Sequence, residues 1–126
     1  MIQFNYLSDF EVKEEDHLRS WIEMCIEIRG FKVGELNYIF CNDDYLLKLN
    51  LEFLKHDTLT DIISFDDTIG KLVGGDIYIS VERVIENAKE FRQLVDNELN
   101  RVIIHGVLHY MGYKDKEEKD ILNMRK

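Results

Sequence analysis

Two histidines four residues apart, His105 and His109, are the side chains in this sequence best suited to chemistry. On a helix, positions i and i+4 share a face, with Cβ atoms about 5–6 Å apart. Two imidazole nitrogens at that spacing can meet one ion at about 2.0–2.1 Å. Gly112 follows three residues after His109 and can end the helix, because a turn there calls for a positive φ that a Cβ resists. Asp115 can then swing back as a third ligand. Three ligands leave one tetrahedral position for water, which is the arrangement of catalytic rather than structural metal sites.

The spacing His105, His109, Gly112, Asp115 also resembles the metzincin metalloprotease pattern, with one part missing. Proteases with HExxH carry a glutamate beside the first histidine as general base, and here that place is Gly106. Peptide hydrolysis by that route lacks its proton shuttle. His17 and His56 are isolated in sequence and read as surface residues. Cys25 and Cys41 form no CxxC pair and fall on expected inner faces, so they read as buried thiols rather than a disulfide or ligands.

Apolar periodicity indicates the elements that must hold these residues. Ile2, Phe4 and Tyr6 alternate as a strand. Leu18, Trp21, Ile22, Cys25 and Ile26 follow helical spacing, with Gly30 as the stop. Leu36–Phe40 reads as a strand. Asn42 is a candidate N-cap of a helix whose inner face is Leu46, Leu49 and Phe53. Asp61–Phe65 and Asp76–Ser80 read as two successive strands joined by a turn near Asp66–Gly70. Ser80 can cap a helix with Val81, Val84, Ile85 and Ala88 inward. Another helix, from about Asn97 to Gly112, puts Leu99, Val102, Ile103 and Val107 inward, and a short one surrounds Ile121 and Leu122. The expectation is an α/β (α+β) two-layer domain: a mixed sheet of about four strands, about five helices, and a metzincin-like metal helix.

The chain has 126 residues, enough for one domain spanning 1–126 with a full core. Its 45% hydrophobic and 33% charged residues fit a globular protein and exclude a disordered or collagen-like one. No apolar run reaches the roughly 18–20 residues of a membrane span, and the first residues do not read as a signal peptide. With the two buried thiols, this gives the expectation of a cytoplasmic protein without membrane contact. The net charge of −9 argues against nucleic-acid binding by a general field. Its distribution softens that argument. Residues 1–80 carry 7 basic and 16 acidic side chains, whereas residues 81–126 carry 9 of each.

The stretch HGVLHYMGYKD, residues 105–115, resembles the YbeY family signature HGxLHLxGYDH. Leu49-Asn50-Leu51 with Thr60–Phe65 resembles that family's LN…T(D/N)VLSF segment, and Gly75–Ser80 its GDI(Y/V)IS strand. Order and spacing agree at least from Leu36 to Tyr113. The family comprises bacterial single-strand endoribonucleases and ribosomal RNA maturation factors. Two departures stand out. The family's third histidine is Asp115 here, preceded by Lys114 rather than aspartate. The family's arginine before the TDVLSF-like strand aligns with Leu54.

The resemblance implies cleavage of RNA phosphodiesters, with His105, His109 and Asp115 acting through one divalent ion. Zinc suits two imidazoles and a carboxylate, and iron(II) and manganese are the alternatives. Lys114, Lys55 and His56 are candidate phosphate contacts; for Lys55 and His56, solvated loop positions are an equal reading. The resemblance also implies single-stranded RNA as partner, namely the 16S ribosomal RNA precursor at its 3′ end. Contacts with the small ribosomal subunit and its assembly proteins, and a part in ribosome quality control, follow from it. The Ile62–Phe65 strand can receive extended substrate if it is a sheet edge. Two rival readings are a metal-dependent hydrolase of another substrate, such as a peptide, and a non-catalytic ribosome-assembly factor with a structural metal.

Overall fold

A computed structural model describes residues 1–54 and 60–113, with Leu54 as backbone. The elements in chain order are β1 (Ile2–Tyr6), α1 (Glu15–Glu27), β2 (Lys32–Cys41), α2 (Asp43–Leu49), a π-helical turn (Asn50–Leu54), β3 (Ile62–Asp66), β4 (Leu72–Ser80), α3 (Val81–Glu90) and α4 (Val95–Tyr110). The four strands form one sheet in the order β1-β2-β4-β3. β1 and β2 run parallel, as do β2 and β4, while β3 is antiparallel to β4. The sheet is therefore mixed, and β3 is an edge among the described residues.

Alternation along the strands sorts side chains to two faces. Ile2, Leu36, Tyr38, Phe40, Ile77 and Ile79 form one buried layer with apolar residues of α1, α3 and α4. Cys41, Leu46 and Ile63 form a smaller cluster, with Leu49, Phe65 and Tyr78 against it. Helix α2 thus covers the β3–β4 end of the second face. Toward β1 that face carries polar residues, with Asn37 donating to Asp76 Oδ1 at 3.0 Å.

The expected caps form. Asn42 Oδ1 accepts from the Tyr45 amide at 2.9 Å and Ser80 Oγ from the Arg83 amide at 3.2 Å, each satisfying an amide that the helix leaves orphaned. Both cysteines are buried and unbridged.

Three details differ from the sequence-based expectation. β2 begins at Lys32 and β4 at Leu72, each several residues early, because glycines inside these strands mask the apolar alternation. The helix after Asn42 converts to a π-helical turn, which leaves Phe53 mostly exposed, though its ring meets Phe65 edge-on at 5.6 Å. Among the described residues there are four α-helices; the expected fifth, around Ile121 and Leu122, lies outside them.

Candidate metal centre on the last described helix

Helix α4 is held to the sheet at two levels. The Tyr38 hydroxyl donates to the carbonyl of Ile103 at 3.1 Å in the core, and the Tyr110 hydroxyl donates to the carbonyl of Asp76 at 2.9 Å. Burial pushes both phenols well above their ordinary range, so both remain protonated donors. Between these anchors, Gly106 faces the sheet. A Cβ there would lie 2.9 Å from Ile77 Cδ1 and 3.2 Å from Ile62 Cδ1. The helix sits this close because the residue after His105 has no side chain, and even a methyl there would make the tips of Ile77 and Ile62 shift.

Around the helix from Gly106, α4 carries a row at four-residue spacing: Asn97, Arg101, His105 and His109. His105 is half-buried and His109 exposed. Their rings lie nearly parallel, 12° apart, with centroids separated by 6.3 Å. An ion about 2.0–2.1 Å from one nitrogen of each ring lies about 3.2 Å from each centroid, so two rings on one tetrahedral ion have centroids about 5.2 Å apart. The observed 6.3 Å is wider than that, so the rings must turn toward each other to share an ion. His109 also occupies the last turn, where exposed carbonyls make the helix end partly negative and favour a cation.

The chain then turns as the glycine requires. Gly112 has φ +89°, its amide bonds the His109 carbonyl at 3.0 Å, and the Tyr113 amide bonds the Leu108 carbonyl at 3.1 Å. These two bonds make a Schellman stop. Tyr113 packs against the main core beyond it, which fixes the direction in which the chain leaves the helix.

The structure thus brings together two of the three expected ligands, His105 and His109. Asp115 and the candidate phosphate contacts Lys114, Lys55 and His56 lie outside the described residues. His17 is exposed on α1, as expected of a surface residue. Among the described residues no group of three or more His, Cys, Asp or Glu is arranged to hold an ion. Two imidazoles form a donor pair of intermediate softness, suited to zinc and iron(II).

Sequence reasoning passed over Tyr38 and Tyr110. The tyrosines gave no signal, since their role depends on which carbonyl lies opposite.

An α+β domain with a four-stranded mixed sheet, packed on a helix that pairs two histidines on its outer face, is the class defined by fold and site. The chain belongs to the Endoribonuclease YbeY family, whose family model matches residues 4–126. Similar proteins include the endoribonuclease YbeY of Flavobacterium psychrophilum, 55% identical over 125 residues, covering 99% of this chain and 89% of that protein. Its counterpart in Flavobacterium johnsoniae is 52% identical over 125 residues, with coverage of 99% and 90%. The solution structure of TM1509 from Thermotoga maritima is similar at a TM-score of 0.68 and 29% identity, covering 97% of this chain and 87% of that one. No helix among the described residues is long and apolar enough to cross a membrane.

Proposed function

We propose that this protein is a metal-dependent endoribonuclease that cleaves phosphodiesters in single-stranded RNA. The observation that carries this reading is the parallel pair His105 and His109 on the exposed row of α4, one turn from a glycine stop that redirects the chain. The family's name supports the substrate class.

In this reading His105, His109 and Asp115 hold one divalent ion, with zinc as first choice and iron(II) or manganese as alternatives. A bound ion would supply Lewis acidity toward a phosphoryl oxygen and acidify water. The chain's own part is positional. Tyr38 and Tyr110 fix the height of α4 on the sheet, and Gly106 lets it seat. The Schellman turn sets where the third ligand begins. Lys114, Lys55 and His56 are the candidate phosphate contacts. Among the described residues β3 is an edge strand, and its outer backbone is where an extended substrate would pair. The cellular role that goes with this reading is maturation of the 16S ribosomal RNA 3′ end and ribosome quality control in the cytoplasm, on the small subunit with its assembly proteins.

A peptidase loses ground on the same geometry, because position 106 faces Ile77 and Ile62 and has no room for a glutamate. The test incubates metal-loaded protein with single-stranded RNA and with unfolded protein, beside His109→Ala. RNA cleavage that disappears with the metal in the variant is expected. Peptide cleavage alone sinks the proposal. So does a variant that loses its metal yet still supports ribosomal RNA maturation, which would leave a non-catalytic assembly factor.

A further inference from the structure

The exposed row of α4 does not end at the histidines. Arg101 lies one step before His105 on the same row. Four residues rise about 6 Å along a helix, comparable with the spacing of consecutive phosphates along a nucleic-acid strand. Helical side chains lean toward the N-terminus. The imidazoles of His105 and His109 stand parallel, 6.3 Å apart, and the arginine reaches one step further along the row.

The state of the guanidinium suits a ligand. The Arg101 side chain is 43% exposed, and its charge partner among the described residues is Glu98, whose side chain is 6% exposed. That contact is 4.0 Å, too long for a hydrogen bond. The carboxylate neutralises the arginine at rest but takes up none of its five N–H donors, which match a phosphate in bidentate fashion.

We propose that Arg101 forms a second phosphate subsite, binding the backbone phosphate next to the scissile one in a single strand of RNA lying along α4. This rests on the RNA-cleaving reading above. It gives the acidic protein a specific electrostatic grip on its substrate and sets the direction in which the strand crosses the histidine pair.

The test uses Arg101→Ala and Arg101→Lys in the full chain, each checked for unchanged melting temperature and metal content. Binding of a non-cleavable 2′-O-methyl RNA oligomer is followed against salt. For a single strand, losing one phosphate contact lowers the slope of log K against log salt by about 0.7. That decrease is expected for Arg101→Ala and not for Arg101→Lys. Cleavage is then compared between RNA and the same RNA with one neutral methylphosphonate beside the scissile phosphate, on one side and then the other. In the wild type, one of the two replacements is expected to lower kcat/KM about tenfold, and Arg101→Ala should be indifferent to it. An unchanged salt slope, or a methylphosphonate penalty equal in wild type and Arg101→Ala, overturns the subsite while the endoribonuclease reading stands. A wild-type protein that neither binds nor cleaves the RNA overturns both.

Discussion

Gly106 and Ile77 are in contact across the helix–sheet interface, so closely that a Cβ on Gly106 would approach Ile77 Cδ1 to 2.9 Å. The direction of His105 and the close approach at Gly106, about 100° apart around α4, are thus set together. The helix presents His105 outward because its next residue lets it lie against β4. Gly106→Ala should change stability by less than about 1 kcal/mol: the helix gains about that much from alanine, and the tips of Ile77 and Ile62 must give way. Gly106→Glu should cost more than about 3 kcal/mol by burying an unpaired carboxylate, and should gain no peptidase activity. Urea denaturation and a peptide-cleavage assay read the two effects.

Gly112 makes a different demand. Nothing lies within 4 Å of where its Cβ would be, so the obstacle is its φ of +89° and not space. Gly112→Ala should destabilise the protein by about 1–2 kcal/mol, and Gly112→Asn by less, since asparagine tolerates the left-handed region better. If Asp115 completes the ligand set, the alanine variant should also bind zinc more weakly, and calorimetric titration would measure that loss. Zinc affinity unchanged by a distorted turn would speak against Asp115.

Asp43 links α2 to α3. Its carboxylate accepts from Ser80 Oγ at 2.7 Å and from Arg83 Nη2 at 3.0 Å. Burial acts to raise its pKa, but the hydrogen bonds from Arg83 and Ser80 outweigh burial and hold it below the ordinary carboxylate value. A depressed pKa stabilises the fold above the unfolded value of about 3.9, and that contribution disappears as pH falls through the folded value. Asp43→Asn should cost about 1–2 kcal/mol at pH 7. The gap between variant and wild type should narrow as pH falls below about 4, as thermal melts across a pH series would show. A constant gap would mean that the pair contributes through packing alone.

Cys41 should be chemically silent. Burial, followed by the nearby charge of Asp43, pushes its thiol up to about 12. Only the thiolate attacks an alkylating reagent, so at pH 8 the native thiol should react at least about a hundredfold more slowly than a free cysteine with a pKa near 8.5. Mass spectrometry after iodoacetamide treatment should find Cys41 unmodified in the folded protein and modified in denaturant. Rapid labelling under native conditions would show that the second core cluster opens.

The sequence by itself determined the local features: which stretches are helix or strand, both caps, the histidine pair and its glycine stop. These depend on neighbours within about five residues, through side-chain periodicity and backbone preference, and both are written directly in residue order. Where the reading stopped short, the cause was long-range. The early start of β4 was hidden by Gly74 and Gly75. Gly75, at φ +138°, is required by the backbone of Phe65 on the next strand and the ring of Tyr110 on α4. The parallel pairing of β1 with β2, the place of β3 at an edge, and the grip of Tyr38 on the Ile103 carbonyl 65 residues away were decided by the tertiary structure alone. Such relations follow from which surfaces meet when the chain closes on itself, and no local pattern of residues encodes the meeting.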